Sequence, residues 1–371
     1  MKIGFDAKRL FHNTTGLGNY SRDLIRILSH YFPENEYYLY NPKKANKDLF
    51  SLNQSNCIEI RPTTFFWKKF KSVWRSLGIS SEIKRNTLQI YHGLSGEIPF
   101  SIPKSTKKVV TIHDLIFMRY PKLYSFWDRK IHFYKFKFAA QKSDRIVAIS
   151  EQTKLDIIHY LDIDPDKIDV IYQGCAAVYK ELISASELEK VRKKFNLPSK
   201  FILNVGTIEP RKNALHIVKS IQNTDIPLVL IGRKTEYYNE IEQFISNQNS
   251  NQVIHLSNVS QHELACIYQL AAIFVYPSLF EGFGIPIIEA LYSKTPVITN
   301  KFGVFPEAGG AHSIYIDPSS VSEMQNALLD LWNNDEKRRL IADQGYEFVQ
   351  KFNDEAIAEN WATFYKNISN T

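Results

Sequence analysis

The sequence contains little cysteine. Its three cysteines, Cys57, Cys175 and Cys266, are widely spaced, and no two of them form a CxxC pair. An odd number of isolated cysteines argues against a disulfide framework and against a structural zinc site. We therefore expect the chain to work in a reducing compartment.

Long apolar runs are also absent. No stretch approaches the roughly 20 consecutive apolar residues that a membrane-spanning helix needs. Residues 1–7 resemble a short strand rather than the charged head and apolar core of a signal peptide. We expect a cytoplasmic protein that does not span a membrane, and contact with a membrane surface stays open.

The charge of the chain is unevenly distributed. Residues 1–175 contain 28 Lys and Arg against 17 Asp and Glu, a net charge of +11, whereas the remaining residues contain 18 against 22, a net charge of −4. The basic first half could bind nucleic acid, anionic lipid or an anionic substrate, or it could simply be a solvated basic surface. The two halves are therefore expected to have different partners.

The length and the apolar pattern indicate two domains. The 371 residues suit two domains of about 150 residues each. Short apolar runs alternate with helical patterns in both halves, which is typical of parallel sheets covered on both faces. This predicts an α/β fold of two Rossmann-like, doubly wound domains. The expected boundaries are 1–174 for the first domain, 175–199 for a linker, 200–353 for the second domain and 354–371 for a C-terminal helix with one aromatic face.

Two motifs of the first half follow predicted strands. The segment Gly16-Leu17-Gly18-Asn19-Tyr20 opens a helix, where glycines let a ligand approach the backbone and free amides can face an anion. A plain turn is the competing interpretation. His113 and Asp114 end a buried strand, and polar groups at such positions point into the ligand crevice of a parallel sheet. The alternatives are a helix-capping Asp114 and a structural His113.

The second half carries two further motifs. Arg211 and Lys212 follow a predicted strand and precede a helix, so they could hold a diphosphate, or lie in a solvated loop. The segment 276–290 is the strongest motif, because a glycine loop, a proline suited to the first helical position and two glutamates coincide. Glu281 and Glu289 could accept hydrogen bonds from sugar and ribose hydroxyls. The competing interpretation is that Glu289 merely stabilises the helix dipole.

Together these motifs resemble the retaining GT-B glycosyltransferases of family four, also called group 1, and especially bacterial capsule and O-antigen mannosyltransferases. The resemblance covers nearly the whole chain, and the pair Glu281 and Glu289, with seven residues between them, is a specific signature of the family. The chain departs from the family at Asn19, where a basic residue is common, and at Gln173, where the family usually has Asn. The other matching segments are 16–20, 113–115, 209–213, 306–310 and 317–318.

The resemblance implies a role for each candidate residue. It implies two domains facing across a cleft, the first binding the acceptor and the second the donor. His113 would lie against the transferred sugar and Glu281 would contact its hydroxyls, which makes these two the candidate catalytic residues. Arg211 and Lys212 would hold the donor diphosphate, and Glu289 would bind the ribose. The remaining expected substrate-binding residues are Gly16, Gly18, Phe283, Gly284 and Ile285.

The implied reaction is transfer of a sugar with retention at the anomeric carbon, in cell-surface polysaccharide synthesis. GDP-mannose is the first expected donor and a UDP-sugar the second, and the acceptor is expected to be a glycan or a lipid-linked glycan. No cofactor and no metal are expected, and Asp162 and Asp164 of a DxD-like turn are assigned no metal. A sugar-nucleotide epimerase of the same fold is the alternative enzyme. Nucleic acid is not an expected partner, because no RNA- or DNA-binding motif is present.

The segment 65–77 suggests a membrane contact. Trp67, Phe70, Trp74 and Leu77 recur at spacings of three and four, so a helix would place them on one face. A basic helix with aromatic anchors suits peripheral binding to the inner, anionic face of a membrane. The alternative is that these side chains pack against the sheet of the first domain. The flanking basic residues are Lys68, Lys69, Lys71 and Arg75.

Overall fold

A computed structural model describes residues 1–45, 49–51, 54–247 and 252–370. The chain forms two compact units, one comprising residues 1–174 together with the C-terminal segment from Phe352, and the other comprising Cys175–Lys351. Each unit contains one parallel sheet with helices in the connections. The prediction of two Rossmann-like α/β domains is confirmed.

The sheet of the first unit has seven strands in the order β3-β2-β1-β4-β5-β6-β7. Every pairing is parallel, and at the centre Phe5 lies between Leu39 and His92 on the neighbouring strands. The central strands are almost fully buried, which explains their continuous apolar sequences. The strands are β1 (Lys2–Asp6), β2 (Glu36–Tyr40), β3 (Cys57–Ile60), β4 (Ile90–Gly93), β5 (Lys107–Ile112), β6 (Arg145–Ala148) and β7 (Ile168–Val170).

The helices of the first unit connect these strands, and one further helix returns from the C-terminus. A π-helical turn, Trp74–Gly78, and the 3₁₀ turns Pro121–Leu123 and Pro165–Lys167 also occur in this unit, and the 3₁₀ turn Gln350–Phe352 leads into it from the second unit. The α-helices are α1 (Lys8–His12), α2 (Gly16–Tyr31), α3 (Phe65–Lys69), α4 (Lys71–Val73), α5 (Ile79–Arg85), α6 (Ile116–Arg119), α7 (Phe126–Lys142), α8 (Glu151–Leu161) and, at the C-terminus, α17 (Asp354–Asn370).

The C-terminal helix α17 is part of the core of the first unit. It packs against α2, where Asp354 forms an ion pair with Arg26 at 2.8 Å. The aromatic face of α17 lies in the core, with Trp361 and Tyr365 each only 1% exposed. The Tyr365 hydroxyl and Nδ1 of the buried His92 lie 2.7 Å apart, within hydrogen-bonding distance. The aromatic residues expected at helical spacing therefore pack as one face, and Thr371 lies outside the described residues.

The sheet of the second unit has six parallel strands in the order β10-β9-β8-β11-β12-β13. The central strands β9, β11 and β12 are buried along their whole length. Strand β13 was not predicted, since its three residues are too few to give a clear pattern. The strands are β8 (Ile202–Val205), β9 (Leu228–Ile231), β10 (Val253–Leu256), β11 (Ile273–Tyr276), β12 (Val297–Asn300) and β13 (Ile314–Ile316).

Several helices of the second unit begin at a serine that fixes their first turn. The hydroxyls of Ser184, Ser260 and Ser320 accept a hydrogen bond from the backbone N–H three residues later, which satisfies one free amide of each helix. Two 3₁₀ turns, Ala177–Tyr179 and Pro210–Lys212, also occur. The α-helices are α9 (Ala185–Lys194), α10 (Ala214–Ser220), α11 (Tyr238–Asn247), α12 (Gln261–Leu270), α13 (Ile285–Tyr292), α14 (Phe305–Gly309), α15 (Val321–Trp332) and α16 (Asp335–Val349).

Residues 175–199, which we expected to be a linker, belong to the second unit. Helix α9 packs on α12, where Lys194 forms an ion pair with Glu263. The side-chain amide of Gln269 also donates to the carbonyl of Glu181 at 2.8 Å. The polar sequence of this segment reflects a helix that covers a unit on one side and is solvated on the other.

The segment 65–77 does not form the single amphipathic helix that its spacing suggested. Helix α3 ends at Lys69, because the φ of −103° and ψ of 58° of Phe70 are not helical, and the chain continues as α4 and a π turn. Trp74 is 1% exposed and packs in a core cluster, with Trp67 against it. Arg75 is half-buried in ion pairs with Asp6 and with Glu97, so neither Trp74 nor Arg75 faces a membrane.

No helix in the described part of the chain is both long and apolar enough to span a membrane.

The packing of α17 gives a prediction for stability. Replacing the buried Trp361 by alanine leaves a large cavity beside His92, and such changes cost about 3–5 kcal/mol. We expect Trp361→Ala to lower the free energy of unfolding of the first unit by about this amount in urea titration. Leu340→Ala, on the exposed side of α16, is the matched control and should change it by less than ~0.5 kcal/mol. An unchanged urea midpoint for Trp361→Ala would show that α17 is not required by the core.

Candidate active site

Two loops of the second unit lie at the same edge of its sheet. One follows β8 and the other follows β11, and these strands are direct neighbours. Because parallel strands end at the same edge, polar residues from both loops meet there. The backbone N–H of Leu279 donates to the carbonyl of Arg211 at 2.8 Å, which ties the two loops together.

The carboxylate of Glu281, in the loop after β11, binds two cations of the loop after β8. Its Oε1 accepts from Arg211 Nη1 at 2.8 Å and from Lys212 Nζ at 2.5 Å. The hydroxyls of Ser278 and Tyr276 donate to the same oxygen at 2.6 Å and 3.0 Å. The structure thus brings together three predicted site residues, and it adds two hydroxyl groups that the sequence did not identify.

The protonation state of Glu281 follows from these contacts. Burial alone would raise the pKa of its carboxyl, but the charges of Lys212 and Arg211 outweigh burial and hold that pKa below its usual value. Glu281 is therefore ionised at neutral pH. Arg211 also binds Glu209 at 2.7 Å through its Nη2, so two cations and two carboxylates lie in one cluster.

Glu289 has a different environment, although it lies only eight residues further along the chain. It projects from α13, and its Oε2 accepts a hydrogen bond from the Tyr268 hydroxyl at 3.0 Å. Burial raises the pKa of Glu289 to about 7, and the Tyr268 hydrogen bond only partly opposes this. The two glutamates of the motif thus differ in charge at neutral pH.

The glycine loop between them fixes the start of α13. Gly284 precedes the helix with a φ of 107°, in the left-handed region that side chains disfavour. Pro286 stands in the first turn, as its sequence position predicted. Phe283 is 2% exposed and packs in the interior, while Ile285 is the first residue of the helix and half-buried. The Phe283 side chain is packed here, so a ligand contact by Phe283 must use its backbone.

In the first unit, His113 follows β5 and is half-buried. Its Nε2 donates to the carbonyl of Leu94 at 2.9 Å, and its ring meets the edge of Tyr20 with centroids 4.5 Å apart. Since a carbonyl can only accept, Nε2 carries the proton and Nδ1 keeps a lone pair. Burial lowers the pKa of His113 to about 4, so the imidazole is neutral at neutral pH. Asp114 Oδ1 accepts from the backbone N–H of Ile116, the first residue of α6, at 3.1 Å, although Asp114 itself lies one residue before the N-cap Leu115.

Gly16 and Gly18 serve different purposes in the first turn of α2. A Cβ on Gly18 would lie 1.9 Å from the carbonyl oxygen of Asn13, so only glycine fits there. A Cβ on Gly16 would meet nothing within 4 Å. The helix start thus needs Gly18 for close packing, whereas Gly16 leaves open space beside the backbone.

Sequence analysis missed a buried network beside His113. His92 Nε2 and the Thr111 hydroxyl lie 2.7 Å apart, and the Tyr20 hydroxyl is 3.4 Å from the same Thr111 oxygen. His92 was hidden inside an apolar strand, and no local pattern distinguished it from a core residue. The network connects α17 to β5, the strand that precedes His113. Burial lowers the pKa of His92 to about 3.

Metal ligands do not cluster in the described residues. No group of three or more His, Cys, Asp or Glu side chains in that part of the chain could hold a metal ion. Asp162 ends α8 in a left-handed conformation, and Asp164 caps the turn that follows. The DxD-like turn is a helix terminus in this structure.

The geometry of the second unit suits an anionic ligand that also carries hydroxyl groups. Arg211 and Lys212 supply two fixed cations, and Glu281 and Glu289 supply hydrogen-bond acceptors. Such a set can bind a diphosphate and the hydroxyls of a sugar or ribose.

Two family models match the chain. Residues 34–176 match the model described as Glycosyltransferase Family 4, and residues 186–348 match the model described as Glycosyl transferases group 1. The second match contains the Arg211, Lys212, Glu281 and Glu289 positions described above. The two matches together cover most of the chain.

Curated relatives and solved structures agree with this. The chain is 28% identical to the O-antigen chain mannosyltransferase RfbU of Salmonella typhimurium over 235 residues, which are 62% of each chain. It is 25% identical to O-antigen chain mannosyltransferase B of Escherichia coli, over 99% of this chain and 100% of that one. The structure of Anabaena HepE in complex with UDP has a TM-score of 0.76 at 16% identity, covering 99% of this chain and 100% of that one. Taken with the two family models, these similarities show that the chain belongs to the group 1, or family 4, glycosyltransferases.

Proposed function

We propose that this glycosyltransferase transfers mannose from GDP-mannose, with retention at the anomeric carbon, to a glycan or a lipid-linked glycan. The observation that carries the proposal is the cluster of Arg211, Lys212 and Glu281. The names of the two mannosyltransferase relatives support mannose as the sugar and polysaccharide synthesis as the setting.

The donor diphosphate binds Arg211 and Lys212 in this proposal. The cluster already contains two carboxylates, and the side chain of Glu209 is 35% exposed whereas that of Glu281 is 14% exposed. The diphosphate therefore displaces Glu209 from Arg211 Nη2, while Glu281 keeps both cations in position. The two cations then stabilise the negative charge of the leaving diphosphate, so that no metal ion is required.

Glu281 in the second unit and His113 in the first unit each offer an acceptor atom to a sugar hydroxyl. Within the described residues, the hydrogen bonds of Glu281 converge on Oε1, so Oε2 can accept from a sugar hydroxyl. His113 Nδ1 can accept from another hydroxyl because the ring is neutral and Nε2 is used by Leu94. Glu289 binds the ribose, and the backbone amides at Phe283, Gly284 and Ile285 complete the donor pocket. Gly16 and Gly18 shape a substrate-binding surface of the first unit in this proposal.

Enzymes that build lipid-linked glycans work at a membrane surface, so we also propose a cytoplasmic location with peripheral contact to an anionic membrane. A UDP-sugar is the second candidate donor, and the solved structure of HepE was obtained in complex with UDP.

A donor panel tests the proposed reaction. The purified protein is assayed with GDP-mannose and with UDP-sugars, in excess chelator, and the anomeric configuration of the product is determined by NMR. We expect GDP-mannose to be used, the product to have the anomeric configuration of the donor, and turnover to persist in chelator. Use of a UDP-sugar alone would replace the donor, an inverted product would exclude retention, and rescue by manganese would exclude the metal-independent mechanism.

The two cations should be required for donor binding. Arg211→Ala and Lys212→Ala each remove a charge-assisted contact, which is worth about 1.5–3 kcal/mol. We expect calorimetry to show that the binding free energy of GDP-mannose is less favourable by about this amount in each variant. The control is Lys337→Ala, in an exposed ion pair with Asp330 in the same unit, which should bind normally. Unchanged affinity in both site variants would exclude the diphosphate assignment.

Donor affinity should depend on pH through Glu289. Its pKa is raised to about 7, and an ionised carboxylate accepts hydrogen bonds from ribose hydroxyls better than a neutral one. GDP-mannose should therefore bind roughly tenfold more tightly at about pH 8 than at about pH 6. Glu289→Gln, which cannot titrate, should show weaker binding with no such rise.

The same titration affects stability with the opposite sign. Because the folded-state pKa of Glu289 is raised above the value of an unfolded glutamate, the unfolded chain releases its proton first as the pH rises. Glu289 thus stabilises the ligand-free fold at low pH and loses this contribution as the pH rises through about 7. Between the pKa of an unfolded glutamate and about pH 7, the melting temperature of Glu289→Gln should fall less than that of the wild type. An identical dependence of melting temperature on pH in both proteins would contradict the assigned pKa.

A further inference from the structure

Helix α7 presents an apolar face that is not covered within the described residues. Trp127, Ile131 and Tyr134 recur at spacings of four and three, and they are 71%, 52% and 65% exposed. The opposite side of the helix packs normally, since Ala139 and Ala140 are buried in a core cluster. Large exposed apolar side chains in a row on a structured helix mark an interaction surface.

This face also carries positive charge. Lys130 lies 4.7 Å from the ring centroid of Phe126, and Lys137 lies 5.6 Å from that of Phe133. Asp128 is the one acidic residue within Phe126–Lys142, against five Lys and Arg. The face of Trp127, Ile131, Tyr134, Lys130 and Lys137 is called the aromatic-basic face below.

Phe100 connects the aromatic-basic face to the segment 65–77. The backbone N–H of Phe100 donates to the carbonyl of Ser76 at 2.9 Å, and its ring meets that of Phe138 on α7 with centroids 5.0 Å apart. Phe65, Phe66 and several neighbours in the segment are exposed, although Trp67 and Trp74 are packed inward. The exposed apolar residues there are Phe65, Phe66, Phe70, Val73 and Leu77.

The positive charge of this surface indicates which kind of partner binds it. Residues 65–77 contain no Asp or Glu and carry the exposed Lys68, Lys69 and Lys71. A second copy of the same basic surface would be repelled, whereas an anionic surface would be attracted. Trp and Tyr favour the interface between the headgroups and the acyl chains of a bilayer, and lysines beside them pair with anionic headgroups.

We infer that the aromatic-basic face of α7, together with the exposed residues of 65–77, binds the surface of an anionic lipid bilayer. Trp127 and Tyr134 enter the headgroup region, while Lys130 and Lys137 contact lipid phosphates. This inference rests on the proposed function for its membrane setting, and it moves the main contact from Trp67 and Trp74 to helix α7.

Vesicle flotation tests the inference with the full chain. We expect the wild type to float with phosphatidylglycerol–phosphatidylcholine vesicles at low salt, to be released at high salt, and to ignore pure phosphatidylcholine vesicles. Trp127→Ser/Ile131→Ser/Tyr134→Ser should bind at least roughly tenfold less, because its three anchors are lost. Lys130→Glu/Lys137→Glu should show a similar loss without touching the anchors.

The controls separate a local effect from a loss of folding or of net charge. Lys190→Glu/Lys193→Glu changes the net charge equally on the exposed side of α9 and should float like the wild type. A wild type that does not float, or α7 variants that float as well as the wild type, would overturn the inference. GDP-mannose affinity, measured on the same proteins, should be unchanged by the α7 substitutions. If GDP-mannose does not bind while the flotation results hold, the proposed donor fails and the membrane surface stands.

Discussion

The negative charge of Glu281 is the constraint on which the site of the second unit depends. Arg211 and Lys212 are adjacent in sequence and largely buried, and two such cations would repel each other without a shared anion. Glu281 supplies that anion, and Ser278 and Tyr276 satisfy its remaining demand for hydrogen bonds. The cations are therefore held in place before any ligand arrives. The proposed binding of a diphosphate would need little reorganisation, because only the more exposed Glu209 would have to move.

Much of this arrangement could be predicted from the sequence, and the missing part has a physical reason. Buried parallel strands give continuous apolar runs, so their positions and the loops at their ends are visible locally. Which residues of two loops form hydrogen bonds is not visible, because Arg211 and Glu281 are separated by 70 positions. Tyr276 and Tyr268 gave no signal either. Each looks like an apolar residue of its strand or helix, and only the fold shows that its hydroxyl reaches a carboxylate.

The segment 65–77 shows that a helical spacing of aromatic residues can predict the wrong exposed face. The spacing of its aromatic residues is helical, but the helix is interrupted at Phe70 and the two tryptophans turn inward. The reason is a distant one, because Arg75 is drawn into ion pairs with Asp6 and Glu97 on other elements. Helix α7, in contrast, has an exposed aromatic face that its sequence did not predict. Aromatic and basic residues occur on all sides of it, so no single face is evident from the sequence, and only burial separates the packed side from Trp127 and Tyr134.

The ionisable groups of the two units are sorted by environment rather than by residue type. Burial lowers the pKa of His113 to about 4 and raises that of Glu289 to about 7, so an imidazole and a carboxyl both approach neutrality near physiological pH. Glu281 stays ionised only because Lys212 and Arg211 outweigh its burial. Formal charge is thereby concentrated at Arg211, Lys212 and Glu281, where a diphosphate is proposed to bind, while His113 is neutral and Glu289 titrates near pH 7. Since a hydroxyl can both donate and accept, a neutral imidazole suffices to orient one, and the two cations are left for the leaving group.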